Sequence, residues 1–146
     1  DIGCAPGSWA QVARKLTHGK VTGVDLVQME PLLDIEFLHG DITDPEIQKE
    51  LGMFDVILSD TAPKTSGTKV QDQFISLELS SQSFLVAKEH LKKNGALVIK
   101  TFQSHETEEL IKGIKRFFSF VKRYTPKATR HGSKEVYIIA QGFGKH

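Results

Sequence analysis

The sequence predicts an α/β fold: a three-layer sandwich around an open, mostly parallel sheet whose last strand runs antiparallel. Three observations carry that expectation. Short apolar runs alternate with amphipathic stretches along the chain, the pattern of strand–helix–strand units. The apolar runs end on Gly3, Asp25, Asp60 and Lys100, and in an open α/β sheet the carboxyl ends of the strands form the ligand-binding edge. Finally, the runs at 120–124 and 136–140 are joined by a loop of about ten residues without helical periodicity, which suits an antiparallel pair because parallel neighbours need a long crossover.

Asp1-Ile2-Gly3 reads as the tail of a first strand. Trp9, Ala13 and Leu16 are spaced for one helix face, closed at Gly19. Residues 20–26 (KVTGVDL) are rich in β-branched side chains and form a strand; 35–38 form a short one. Asp44-Pro45 is an N-cap followed by a first helical proline, opening a short helix to about Leu51. FDVILS at 54–59 reads as a buried strand, and 61–71, holding Pro63, Ser66 and Gly67, as a loop. Phe74, Leu77, Phe84, Leu85 and Leu91 recur at helical spacing, so a long helix covers 73–92 and stops at Asn94-Gly95. ALVIK at 96–100 is a strand, and Leu110, Ile111, Ile114, Phe117 and Phe118 mark a last helix. With the two final runs the sheet has seven strands.

The 146 residues suit a single domain able to bury a real core. At 39% hydrophobic and 25% charged, the chain has the composition of a soluble globular protein. Its lone cysteine, Cys4, excludes an intrachain disulfide, and no apolar run approaches the roughly 20 residues that span a bilayer. The formal net charge of +1 hides a split. Residues 24–60 hold ten acids and one base, Lys49, whereas 110–134 hold eight bases and no acid. With Phe118, Phe120 and Tyr124 interleaved, the basic stretch offers phosphate contacts and stacking surfaces for nucleic acid, although a solvated helix face and core aromatics account for the same residues.

Two constellations carry chemistry. In Asp1-Ile2-Gly3-Cys4-Ala5-Pro6-Gly7-Ser8-Trp9 a strand ends at Gly3, a turn of small residues follows, and a helix begins near Ser8. Glycine lets a ligand approach the backbone, and the helix start presents N–H groups. Asp25, ending the next strand, can accept from ribose hydroxyls. The GxGxxG pattern of dinucleotide binding is absent and Pro6 removes an N–H, which favours a nucleoside ligand without pyrophosphate and disfavours a nicotinamide dehydrogenase. A ligandless tight βα turn is the plainer reading. Asp41 sits where it can hold a second part of that ligand, or simply cap a turn. The second constellation is Asp60, Lys100 and Glu135. An antiparallel last strand brings the start of EVYIIA to the edge where the other two end, for catalysis or as a structural ion pair. The six histidines show no i, i+4 pairing and a single cysteine builds no sulfur-rich site, so no metal is expected.

Taken together, DIGCAPGSWAQV, TGVDL, FLHGDITD, DVILSDTAPKTSG, GALVIKTF and TPKATRHGSKEVYIIA resemble, in this order, the RrmJ/FtsJ family of RNA 2′-O-ribose methyltransferases. The resemblance implies the Rossmann-like sheet of class I S-adenosylmethionine-dependent methyltransferases. It also implies S-adenosylmethionine bound around Gly3, Gly7, Trp9, Asp25, Asp41 and Asp60, and a Lys–Asp–Lys–Glu tetrad whose last three members fall on Asp60, Lys100 and Glu135. Lys100 matches the family's proton acceptor. The first tetrad lysine is expected upstream of Asp1, so the chain is expected to be a catalytic domain without its N-terminal segment. Ser8 replaces a residue that is commonly Gly or Ala, and Thr129 one that is commonly Ser. Residues 127–137 are closer to the ribosomal-RNA branch than to the transfer-RNA branch, which implies a uridine ribose of large-subunit ribosomal RNA. The implied partner is thus ribosomal RNA or the large subunit, for a monomer without metal or membrane, in the cytoplasm or the mitochondrial matrix. A transfer-RNA or mRNA-cap methyltransferase and an inactive cofactor- or RNA-binding module are the alternatives.

Overall fold

In the computed structural model, which describes residues 1–61, 67–126 and 134–144, the chain divides into two units, Asp1–Gly52 and Met53–His146.

The first unit is built on a two-stranded parallel sheet, β1 (Val21–Asp25) and β2 (Ile35–His39), in register from Val21↔Ile35 to Asp25↔His39. The first expected strand is reduced to one parallel bridge, Ile2 to Val24. Helix α1 (Ser8–Thr17) buries Ala10 completely, while Leu16 stays 77% exposed; the expected face through Leu16 is therefore not the one that packs. The helix ends on His18, in the left-handed conformation at φ 54°, one residue before the expected stop at Gly19. Gly23 is required by close packing, because a Cβ there would lie 2.6 Å from Cys4 Sγ. Asp44 caps α2 (Pro45–Gln48) by accepting from the Glu46 N–H at 2.9 Å. The helix stops short of Leu51 because its last bonds tighten to i→i+3, Glu50 to Ile47 and Leu51 to Gln48.

The second unit is a four-stranded sheet in the order β3-β4-β6-β5: β3 (Phe54–Ser59), β4 (Leu91–Phe102), β5 (Phe118–Tyr124) and β6 (Glu135–Phe143). β3 and β4 are parallel, and β6 runs antiparallel to both its neighbours, as the short final loop requires. The described strands thus form a two-stranded and a four-stranded sheet, where one seven-stranded sheet is expected. Strand β3 is not fully buried: Val56 is 47% exposed. Helix α3 (Lys69–His90) starts four residues earlier than expected, and of the expected apolar set Phe84 and Leu91 are buried. Phe74 and Leu85 are exposed, and the packed face is Ser76, Ser80, Ser83, Phe84 and Ala87. α3 stops at His90, ahead of Asn94-Gly95; β4 follows directly from Leu91 and contains the left-handed Asn94. Helix α4 (His105–Lys115) closes through i→i+3 bonds, Arg116 to Gly113 and Phe117 to Ile114. Phe118 therefore opens β5 instead of ending the helix; it is 1% exposed and packs on Phe143 at 5.3 Å between ring centroids.

Candidate active site

In the first unit the glycine turn is knitted to β1 by backbone bonds. Val24 O accepts from the Gly3 N–H at 2.8 Å and from the Cys4 N–H at 3.3 Å. Gly7, the N-cap of α1, sits at φ +116°, and a Cβ on it would lie 2.3 Å from Leu32 Cδ1. Only glycine fits there, at the start of α1. The Asp25 carboxylate is oriented by two backbone donors: Ala5 N–H to Oδ2 at 2.8 Å and Val27 N–H to Oδ1 at 2.9 Å. Each oxygen keeps a second lone pair for a further donor. An open cavity of about 610 Å³ lies against Ala5, Pro6, Asp25 and residues 27–31. Cys4, beneath the turn, is buried with its Sγ 3.7 Å from Met29 Sδ; burial first, then the Asp25 carboxylate, pushes its thiol up.

Asp41 is tied into its own turn. Its Oδ1 accepts from the Thr43 N–H at 2.9 Å and from the Thr43 hydroxyl at 2.7 Å, and its carbonyl accepts from the Asp44 N–H at 3.0 Å. This is the turn geometry foreseen as its plainer role. His39 bonds the Leu26 carbonyl at 2.8 Å, a turn contact as well.

In the second unit β3 and β4 run parallel with Ser59 opposite Ile99, so Asp60, just past β3, and Lys100 come side by side, while β4 runs on to Phe102, past its expected end at Lys100. Lys100 Nζ is 2.5 Å from Asp60 Oδ1, with the side chains 16% and 29% exposed. Lys100 alternates with Ile99 and Thr101, which are 0% and 2% exposed, so the strand core holds it with its head at the rim. The antiparallel β6 brings its N-terminal end to the same edge: Lys100 is the register partner of Tyr137, and Phe102 that of Glu135. Residues directly opposite share a face, so Lys100, Tyr137 and Glu135 lie on one side of the sheet. The Gln103 N–H closes this end on Lys134 O at 2.8 Å. Tyr137 was not singled out from sequence, yet the alternation of EVYIIA from Glu135 puts it on that face once β6 is antiparallel. Lys127, Thr129 and Arg130 of the final loop lie outside the described residues, as do Pro63 and Lys64.

The basic stretch is partly neutralised by acids just ahead of it: Arg123 pairs with Glu108, and Lys112 with Glu109 at 3.0 Å. On β5, Phe120 and Tyr124 are 48% and 46% exposed, with Lys122 Nζ 5.7 Å from the Tyr124 ring centroid, whereas Phe118 belongs to the core.

A glycine turn ahead of a helix, an acid closing the next strand, and a Lys–Asp pair at parallel strand ends define the class of Rossmann-like methyltransferases. Solved structures agree on the fold. A ribosomal RNA methyltransferase of Plasmodium falciparum matches at TM-score 0.84 and 28% identity, over 100% of this chain and 86% of that one. The fibrillarin/Nop5p complex matches at TM-score 0.68 and 17% identity, over 97% of this chain and 70% of that one, a likeness of fold alone. The chain belongs to the FtsJ-like methyltransferase family, whose model matches residues 1–143. It is 46% identical to the ribosomal RNA large subunit methyltransferase E of Methanoregula boonei, over 98% of this chain and 76% of that protein. It is 40% identical to the protein of the same name from Archaeoglobus fulgidus, over 99% of this chain and 78% of that one.

Proposed function

We propose that this chain methylates a ribose 2′-hydroxyl of RNA from S-adenosylmethionine, with large-subunit ribosomal RNA as the substrate and a uridine as the target. The observation that carries the reading is the Asp60–Lys100 pair at the ends of two parallel strands, 2.5 Å apart and only partly exposed. The first unit fits the cofactor. Its cavity has the volume of a small-molecule site, Asp25 keeps acceptor capacity for two ribose hydroxyls, and Gly7 leaves the helix start clear of side chain. Gly3, Gly7, Trp9, Asp25 and Asp41 of that unit would hold it, and it supplies a methyl group on a sulfonium.

The work left to the protein is at the acceptor. A 2′-hydroxyl is a poor nucleophile, and its oxygen gains negative charge as it attacks. Lys100 acts on that oxygen, taking its proton or donating to the developing alkoxide. Asp60 and Glu135 orient the lysine and the ribose, and a partly dry rim strengthens each of these contacts. Exposed Lys122, Phe120 and Tyr124 would take phosphates and bases beyond the reacting nucleotide. The test is tritiated-methyl incorporation into large ribosomal subunits, transfer RNA and capped RNA. Label confined to the 2′-O of large-subunit RNA supports the reading; label in transfer RNA or caps alone moves the substrate, and S-adenosylmethionine binding without transfer to any RNA marks an inactive binding module.

A further inference from the structure

The interface between α3 and its sheet is unusual in being polar. Ser59, Ser76, Ser80, Ser83 and Thr101 are all 3% exposed or less. Buried hydroxyls cost free energy unless bonded, and these are bonded in a pattern that frames the reacting pair. Ser59 Oγ lies 2.8 Å from Ser83 Oγ and 3.2 Å from Thr61 Oγ1, so the residues before and after Asp60 belong to one chain of hydroxyls. The direction of the chain follows from counting protons. Ser83 donates its hydroxyl hydrogen to the Leu79 carbonyl at 3.0 Å. It therefore receives from Ser59, which in turn receives from Thr61, because a hydroxyl has one hydrogen and two lone pairs. The run Thr61→Ser59→Ser83→Leu79 O ends on the rigid backbone of α3. On the neighbouring strand Thr101, the residue after Lys100, lies 3.4 Å from Ser76 of the same helix, Oγ1 to Oγ.

We propose that Ser83 is a positioning residue for the reaction: through Ser59 and Thr61 it holds the Asp60 backbone so that the carboxylate meets Lys100. The inference rests on the function proposed above only in calling that pair the reacting one. Ser80 supplies a matched control. It is as buried and lies on the same helix face, but its hydroxyl donates to the Ser76 carbonyl at 2.8 Å, a bond inside the helix.

The experiment compares the wild-type chain with Ser83→Ala, Ser59→Ala and Ser80→Ala. The first readout needs no RNA: the rate of reductive methylation of Lys100 by formaldehyde and cyanoborohydride, followed by peptide mass spectrometry with Lys93 as the exposed reference. Loosening Asp60 raises Lys100 labelling about fivefold in Ser83→Ala and in Ser59→Ala, the weight of one net hydrogen bond. A double variant carrying Ser59→Ala and Ser83→Ala is no further changed than Ser59→Ala, and Ser80→Ala matches wild type. The second readout is the methyl-transfer rate, where kcat falls about tenfold in Ser83→Ala while KM for S-adenosylmethionine holds. Equal Lys100 labelling in wild type, Ser83→Ala and Ser59→Ala overturns the positioning role, and so does an equal change in Ser80→Ala. Should Ser83→Ala fail to fold, Ser59→Ala reads the same chain from the strand side. Full activity in Lys100→Ala would instead overturn the proposed function, and the labelling result would still decide on Ser83.

Discussion

Lys100 and Tyr137 stand directly opposite each other across β4 and β6, so the phenol shares a sheet face with the Lys100 ammonium. Burial pushes the Tyr137 hydroxyl up from its ordinary value; Lys100 pulls it down, and Asp60 and Glu135 push it up again. A group with a raised folded value contributes stability that is complete below its unfolded value, about pH 10 for tyrosine, and is lost as pH rises through the folded value. Denaturant unfolding should therefore show stability declining above about pH 10, with a smaller decline in Tyr137→Phe. Absorbance near 295 nm gives the direct check: the phenol whose signal is lost in Tyr137→Phe should ionise late. Ionisation of that phenol at or below the ordinary tyrosine value in the folded state would contradict this account.

Lys100→Ala should lower methyl transfer by at least about a hundredfold, the usual weight of a positioned acid or base. Binding of S-adenosylmethionine by calorimetry should stay within about twofold of wild type, because the cavity beside Asp25 is built from residues 5–31. Comparable losses in both measurements would make Lys100 a structural lysine.

Gly7 tests the first unit. Gly7→Ala forces a side chain into a left-handed backbone and against Leu32 at 2.3 Å. The expected cost is about 2 kcal/mol in urea unfolding, together with weaker cofactor binding as the start of α1 shifts. A variant of wild-type stability would mean that the turn relaxes at no cost.

Cys4 reports on the same turn. A buried thiol pushed up by burial and by Asp25 stays protonated and should resist iodoacetamide at pH 8 in the native state, then react at once in urea. Rapid native alkylation would show that the turn opens.

The parts of the fold legible in the sequence are those set by local chemistry: Asp44-Pro45 capping α2, the apolar run ALVIK of β4, and the antiparallel end demanded by a loop too short for a crossover. Asp60 and Lys100 were legible because each is a charged residue closing an apolar run of the sequence. The departures have one cause in common. Apolar spacing predicts burial, yet Phe74, Leu85 and Leu16 are exposed, and the buried face of α3 carries Ser76, Ser80 and Ser83 beside Phe84, Val86 and Ala87. Which polar residues go inside depends on partners far apart in the chain, such as Ser59 and Ser83, and no local periodicity encodes that. The same holds for charge: 110–134 reads as uniformly basic, but Glu108 and Glu109, just ahead of it, neutralise Arg123 and Lys112.

That neutralisation makes RNA binding the sharpest test of the charge split. Lys115, Arg116 and Lys122 form no ion pair with a described residue, while Lys112 already has one. Each phosphate contact contributes a slope of about −0.7 to the logarithm of affinity against the logarithm of salt for single-stranded RNA. Lys122→Ala should therefore flatten the slope by about 0.7 and weaken binding similarly for every sequence. Lys112→Ala should change it less, because removing that lysine frees the Glu109 carboxylate instead of vacating a phosphate contact. Filter binding between low and moderate salt measures both. If neither variant alters the slope, the RNA runs elsewhere and the exposed face of β5 has no part in holding it.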